Sequence, residues 1–506
     1  MRQLSFSLRF IAFVALLLSG IESAKATEPD TASVLVYNDG IVYLFSFTGM
    51  GHNAVAVNAY VYSYYENICV ANIQPTITYE YTWDEKINGQ NVTYTRYLTA
   101  PVTFIGDEAF HECESLTGVS IPNSIESIGV EAFVLCTSLT SVTFGNSVTS
   151  IGDGAFSFCP GLMEVTIPNS VTHIGESAFA ECENLISVNI PNSVTSIGYQ
   201  AFYHCSKLVN VNIPNSVTSL GGEAFCGCSS LKSISIPSSV TGIGWQTFCG
   251  CGQLRDLTIE HGITSIGYGA FDGCHSLKSI NLPNSVTTIG PLAFEGCSGL
   301  TSIHIPKSLR IIGGGAFCYA DATIYWNAQN CMFDNEDDEF CGPFNYCAVT
   351  HIVIGPEVTA IDDNIFYVSA YFDNWINYDN WGNWCDGNII DTVTCYALIP
   401  PTITEECFYC DTYSNAVLEV PEGSLEAYRN APGWKEFQNI VAIDDEVTTC
   451  DVNGDGNVTI DDLTALIDIL LSDNTSGNEA ADCNGDGNVT IDDVTTLIDY
   501  LLNGSW

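Results

Sequence analysis

Residues 194–216 read Val194-Thr-Ser-Ile-Gly-Tyr-Gln-Ala-Phe-Tyr-His-Cys-Ser-Lys-Leu-Val-Asn-Val-Asn-Ile-Pro-Asn-Ser216, and Val217-Thr-Ser-Leu-Gly begins the same phrase again. The phrase returns every 23 residues, carrying Cys113, Cys136, Cys159, Cys182, Cys205, Cys228, Cys251, Cys274 and Cys297 with it. A fixed period in the twenties means a stack of small coils, each burying its apolar residues only against its neighbours. Such a body offers long surfaces and no enclosed pocket. A binding or display protein is the first expectation.

Within a coil, the Val-x-Ile alternation of Val188-Asn-Ile190 and Val211-Asn-Ile213 predicts a short strand with one buried face. Pro-Asn-Ser ends it, because proline has no amide to give a ladder and Asn-Ser favours a turn. Val-Thr-Ser-Ile predicts a second short strand across the coil, and the glycine after it is expected to permit a sharp bend into one helical turn around Ala-Phe. The repeated cysteine is small and apolar and suits a tight inner corner. Parallel side chains one strand spacing apart favour free buried thiols over ladder disulfides, and Cys226/Cys228 and Cys249/Cys251 lack the paired Cys-x-x-Cys of a zinc site.

The chain of 506 residues carries 13 Lys and Arg against 59 Asp and Glu, a formal charge of −46. Nucleic acid is disfavoured as a partner, since phosphates are held by cations that this chain lacks. Arg2 and Arg9 before the apolar run 10–18, then Ala24-Lys25-Ala26, read as a signal peptide over residues 1–26. The apolar run is too short for a stable membrane span, so an exported protein is expected, with no transmembrane segment. Histidines such as His173, His204, His275 and His304 fall at variable or solvent-facing positions, and no nucleophile elbow, zinc-helix motif or phosphate loop occurs. No enzyme is expected.

Repeats of the form Ser-Val-Thr-Ser-Ile-Gly-x-x-Ala-Phe-x-x-Cys-x-x-Leu-x-x-Val-x-Ile-Pro-Asn-Ser resemble the BspA-type leucine-rich repeats of bacterial surface proteins. The match spans about residues 102–370, and its tenth unit has Ala320 in place of the cysteine before running into Ile324-Tyr-Trp326 and Cys347-Ala-Val-Thr-His-Ile-Val-Ile354. The resemblance implies attachment to host proteins or other cells, at the surface or outside a Gram-negative bacterium. Residues 27–101, with a turn at Asn88-Gly89, read as an N-terminal β cap; 102–399 as the solenoid with irregular late repeats; and 400–445 as a C-terminal cap resembling the family's own.

Aromatic residues break the pattern in two places. Residues 366–384 gather Phe366, Tyr367, Tyr371, Phe372, Trp375, Tyr378, Trp381 and Trp384 among Asn and Asp, which suits either a recognition loop or rings closing an irregular coil. The residue after the repeat glycine is Tyr199, Gly222, Trp245 and Tyr268 in successive coils, an outward column in which Trp245 and Tyr268 are neighbours. Trp375, Trp381, Trp384, Tyr199, Trp245 and Tyr268 are therefore candidate contacts for a protein or glycan ligand. The acidic cluster Asp334, Glu336, Asp337, Asp338 and Glu339 reads as a solvated loop.

Two near-identical segments end the chain, Asp451-Val-Asn-Gly-Asp-Gly-Asn-Val-Thr-Ile-Asp-Asp462 and Asp482-Cys-Asn-Gly-Asp-Gly-Asn-Val-Thr-Ile-Asp-Asp493. Oxygen ligands recur at loop positions one, three, five, seven, nine and twelve, with glycine at six for the turn, as a calcium loop requires. The candidate calcium set is Asp451, Asn453, Asp455, Asn457, Thr459 and Asp462 in the first loop, and Asp482, Asn484, Asp486, Asn488, Thr490 and Asp493 in the second; the residue at position seven contributes its backbone carbonyl. Each loop leads into an amphipathic helix, with Leu463, Leu466, Ile467, Leu470 and Leu471, then Val494, Leu497, Ile498, Leu501 and Leu502. A duplicated loop and helix with Asp at position twelve resembles a type I dockerin, here a small all-α calcium-binding domain over 446–506, which implies a cohesin-like partner. Ile460-Asp461 and Ile491-Asp492 stand where cohesin-binding dockerins often carry small hydroxyl residues. Cys450 and Cys483 are placed to bridge the two halves or to stay free. Adhesin or binding scaffold is the preferred reading, with an accessory component of a polysaccharide-degrading complex as the alternative.

Overall fold

The computed structural model describes residues 31–38, 41–48, 55–64, 70–88, 90–334, 342–347, 349–366, 390–404, 407–408, 410–443, 450, 452, 458, 460–471, 481–483 and 489–503. Its body is a mainly β solenoid built of two columns of short strands. In one column the strands Glu164–Thr166, Ser187–Asn189 and their successors pair in parallel with registers such as Val165↔Val188, Ile234↔Leu257 and Ile280↔Ile303. In the other, Ser127–Ile128, Ser150–Ile151 and His173–Ile174 do the same one coil apart. Each of these pairings joins residues 23 apart, so the register is set by the repeat itself.

The interior is a set of side-chain ladders running along the stack. Phe110, Phe133, Phe156, Phe179, Phe202, Phe225, Phe248, Phe271, Phe294 and Phe317 are fully buried. Adjacent rings lie 4.8 to 5.6 Å apart with planes within 2 to 8° of parallel, an offset-stacked arrangement. The cysteine of each coil is a free thiol that donates to the phenylalanine carbonyl of the preceding coil, as Cys159 to Phe133 at 3.2 Å and Cys205 to Phe179 at 3.3 Å. Burial pushes thiols such as Cys205, Cys251 and Cys297 well above the usual range, so the protonated form is favoured. Polar positions follow the same logic: Thr195 Oγ1 donates to the Thr172 carbonyl at 3.1 Å, and Ser216 Oγ to the Val194 carbonyl at 2.6 Å.

The backbone departs from the expected glycine bend and helical turn. Residues after the glycine form a succession of turns, and Gly129, Gly152, Gly175, Gly198 and Gly221 are not left-handed. They are glycine because a Cβ at Gly198 would sit 2.7 Å from the Glu176 nitrogen and the Gly175 carbonyl carbon. The left-handed backbone falls two residues later, at Glu131, Ser177, Gln200, Glu223, Gln246 and Leu292, and again just before each ladder cysteine. Glycine already fills that first position as Gly154, Gly269 and Gly315. Since a left-handed conformation costs an ordinary residue about 1–2 kcal/mol, Glu131→Gly is expected to raise stability by up to about 1 kcal/mol, read as a higher urea midpoint.

Length changes late in the chain are looped out while the spine continues. Phe317 stacks on Phe344 at 5.4 Å, Phe344 on Phe366 at 6.2 Å, and Phe366 on Phe408 at 5.3 Å. Cys347 donates to the Phe317 carbonyl at 2.8 Å, resuming in the next coil the thiol bond that Ala320 cannot make. Phe366, grouped from sequence with the aromatic run, is fully buried and belongs to this spine.

Both ends are covered by β structure. Antiparallel strands Thr31–Asn38, Ile41–Thr48 and Val55–Tyr64 precede the hairpin Thr76–Ile87/Gln90–Ile105, which turns at Asn88 with a φ of 53°. The end of Gln90–Ile105 pairs with the first coil through Ile105↔Ile128. At the other end Thr392–Cys395, Val417–Val420 and Asn439–Ala442 extend the parallel sheet. Buried Trp434 donates to the Pro401 carbonyl at 2.7 Å and buried Tyr428 to that of Ala397 at 2.7 Å. Helices Ile460–Leu471 and Ile491–Asn503 form a separate small core around Leu466, Ala481, Val494 and Leu497. Among the described residues no helix is long and apolar enough to cross a membrane.

Candidate functional site

The aromatic column lies where the chain turns after the second strand of the coil. Trp245 is 47% exposed and Tyr268 41% exposed, while Tyr199 is half-buried. The structure brings Tyr199 and Trp245 together across the intervening coil: their centroids are 6.4 Å apart and their planes within 8° of parallel. Gly222 makes this approach possible, having no side chain between the two rings. The sequence paired Trp245 with Tyr268 by adjacency alone and missed this contact.

Glu223, also missed, organises the patch. Its side chain is buried, and its two oxygens accept from Tyr199 Oη at 2.6 Å and from Gln200 Nε2 at 2.9 Å. Its backbone N–H donates to the Trp245 carbonyl at 2.8 Å, which ties the carboxyl to the next coil. The hydrogen bond to Glu223 pushes the Tyr199 hydroxyl up to about 12, with burial adding to it. The readable signal was the pairing of Gln200 with Glu223 at equivalent positions of neighbouring coils. Nothing in the spacing tells that both point toward the same phenol.

The histidines are engaged in the fabric of the coils. His173 Nδ1 is 2.5 Å from Ser196 Oγ, and His275 Nδ1 is 2.7 Å from the Gly296 carbonyl. His204 sits 3.5 Å from the Glu181 carboxyl and stacks on Tyr203. His304 stacks on Tyr325 at 4.3 Å, and burial lowers its pKa. A shallow groove of about 360 Å³ runs over the strand face past Glu164, Ser187, Asn189 and Asn210. These groups are spread along a surface and do not converge on a reacting centre.

In the tail, Asp462 and Asp493 stand at equivalent places in the first turns of the two helices, and both are fully buried. Asp493 Oδ2 accepts from the Thr490 N–H at 2.6 Å. The described members of the calcium set, Asp462, Asp482, Thr490 and Asp493, are hard oxygen donors in a segment that has no Lys or Arg from Cys450 onward, and this fits calcium. Asp451, Asn453, Asp455, Asn457, Thr459, Asn484, Asp486 and Asn488 lie outside the described residues, as do Trp375, Trp381, Trp384 and the acidic stretch 335–341. A disulfide joins Cys450 to Cys483, 5.2 Å apart at Cα, and ties the start of the first loop to the second.

Six copies of the BspA type leucine rich repeat region match within residues 103–232 and 195–324, and the dockerin type I domain matches residues 449–502. The body is a BspA-type leucine-rich repeat solenoid, and the tail is a type I dockerin domain. Among solved structures, a leucine rich cell surface protein from Faecalibacterium prausnitzii is 25% identical, covering 62% of this chain and 97% of its own, with a TM-score of 0.30. A leucine-rich repeat protein from Bacteroides ovatus is 22% identical over 66% of this chain and 95% of its own, with a TM-score of 0.31. The pneumococcal vaccine antigen PcpA is 16% identical over 81% and 98%, with a TM-score of 0.40. The chain has no match among curated proteins.

Proposed function

We propose that this protein is an exported, non-catalytic adhesin or binding scaffold, whose solenoid recognises a host or cell-surface protein or glycan and whose tail attaches it to a cohesin-like partner when calcium is bound. Residues 1–26 serve as the export signal, 27–101 and 400–445 close the ends of the solenoid, and 446–506 form the attachment domain. One observation carries the reading: a rigid repeat body that exposes Trp245 and Tyr268 is joined in one chain to a dockerin domain. Exposed rings on a rigid support make good contacts, because little side-chain freedom is lost on binding.

Calcium would be held by the two duplicated sets, Asp451 to Asp462 and Asp482 to Asp493, and when bound it supplies the positive charge that lets the acidic loops fold back on themselves. The helix starts then become the attachment surface. Ile491 supports this, being 69% exposed at the first position of its helix.

The same tail supports a second reading, an accessory component of a polysaccharide-degrading complex recruited through cohesin. Pull-downs with the whole protein in calcium and in chelator separate the two. Recovery of a cohesin-bearing scaffold with glycan hydrolases favours the accessory role, and recovery of a surface or matrix protein favours the adhesin. For the solenoid, Trp245→Ala is expected to weaken retention of the recovered ligand by about tenfold, in the range of an interface aromatic, with the melting temperature unchanged. Unchanged retention removes this column from the binding surface.

A further inference from the structure

One position in the coil is occupied by Met163, Ile186, Val209, Lys232, Arg255 and Lys278 in six successive coils. It directly follows the buried leucine and precedes the first strand. Backbone bonds fix the column: Ile186 N–H donates to Met163, Val209 to Ile186, Lys232 to Val209 and Arg255 to Lys232, at 2.8 to 3.1 Å. Met163 and Ile186 are 56% and 45% exposed, and all three cations are exposed. Among the described residues none of these cations takes part in an ion pair.

Three like charges at a pitch of about 4.8 Å repel one another and return nothing to the fold. Thr117, Thr140 and Thr301 fill the same place in other coils and keep the same backbone ladder. The charge is also segregated. Residues 207–310 hold Lys207, Lys232, Arg255, Lys278, Lys307 and Arg310 against Glu223, Asp256, Glu260, Asp272 and Glu295, whereas the chain as a whole is at −46. A row of cations in such a chain marks a local anionic ligand, since the remaining surface turns away any large polyanion.

We propose that this row is the docking line for an extended polypeptide segment of the partner, apolar in one half and acidic in the other, laid along the solenoid axis. This rests on the reading of the solenoid as a protein-binding surface and names the chemistry of what it takes. The apolar half of the row decides for a peptide. Sugars stack on aromatic faces, which this row lacks, and a nucleic acid has no use for exposed Met163 and Ile186. In an extended segment, side chains on one face are about 6.7 Å apart, so three acidic residues at alternate positions span a little more than the three cations, a mismatch that long Lys and Arg stems take up.

The test uses the whole protein and a fluorescent peptide with three leucines at alternate positions followed by three glutamates at alternate positions. A counterpart with lysines for glutamates, heparin and duplex DNA are the controls. The acidic probe is expected to bind, with affinity falling as salt rises, and K232E/R255E/K278E to lose at least about tenfold. Met163→Ser with Ile186→Ser is expected to cost about threefold, and circular dichroism and melting temperature to stay unchanged in both variants. No binding of the acidic probe at micromolar protein, or equal binding by the charge-reversed variant, overturns the proposal. Heparin or DNA binding in preference to the peptide overturns the polypeptide class. A surface-protein ligand that the charge-reversed variant still retains removes the row and leaves the solenoid's role as a protein binder standing.

Discussion

Gly221→Ala is expected to lower the stability of the solenoid by at least about 3 kcal/mol, the range of severe overpacking. The added methyl would lie 2.4 Å from the Tyr199 nitrogen and 2.5 Å from the Gly198 carbonyl carbon, and backbone cannot swing aside as a side chain does. Relief would require the two coils to separate, breaking the Gly221 N–H bond to the Ile197 carbonyl and opening the Phe202–Phe225 stack. Because each coil is stable only through its neighbours, the loss spreads along the array. Gly423→Ala is the control, with nothing within 4 Å of its new methyl. Urea unfolding of the two variants checks the claim, and equal midpoints would show that coil contact does not limit this position.

Calcium gives the second large effect. Residues 450–506 carry twelve acidic side chains and no Lys or Arg, so without a cation the loops repel themselves. The whole protein is expected to take up two calcium ions, gaining helix signal as the tail orders. The double variant D462A/D493A should lose most of that uptake, because the last ligand of each loop goes with it. The solenoid should keep its own unfolding transition, since its core does not include the tail's. Chelation combined with reduction should loosen the tail further than chelation alone, the Cys450–Cys483 link being the remaining tie between the loops. Calorimetry that finds no uptake at millimolar calcium would sink the metal-gated tail.

Much of the solenoid was legible because the evidence for it is repeated. A Val-x-Ile alternation in one place is weak, but nine in phase fix strand, register and buried face together. The parallel pairing Val165↔Val188 follows from the period alone. The helical turn after the glycine was misread because Ala-Phe looks helical locally. In the stack, alternate N–H groups there go to the next coil instead, as Phe202 to the Ala224 carbonyl at 2.8 Å, while Ala201 and Tyr203 bond back to the Gly198 and Gln200 carbonyls. Glycine is expected from the sequence to permit a sharp bend, but its reason in the stack is a neighbour's backbone, a contact between residues about a full period apart. The late spine Phe344, Phe366 and Phe408 was hidden because unequal insertions destroyed the period that revealed the rest.

By itself, then, the sequence determined the repeat unit, its coil-to-coil register, the identity of the buried ladder and the oxygen-rich loops of the tail, since each of these is written in residue type at fixed spacing. Tertiary structure alone decided what lies beside what across coils: Tyr199 against Trp245 over Gly222, buried Glu223 holding the Tyr199 hydroxyl, and Cys450 joined to Cys483. The physical reason is that periodicity assigns a side chain to a column and a face but leaves its rotamer free. Which neighbour it meets is settled by packing and hydrogen-bond demand in the assembled stack.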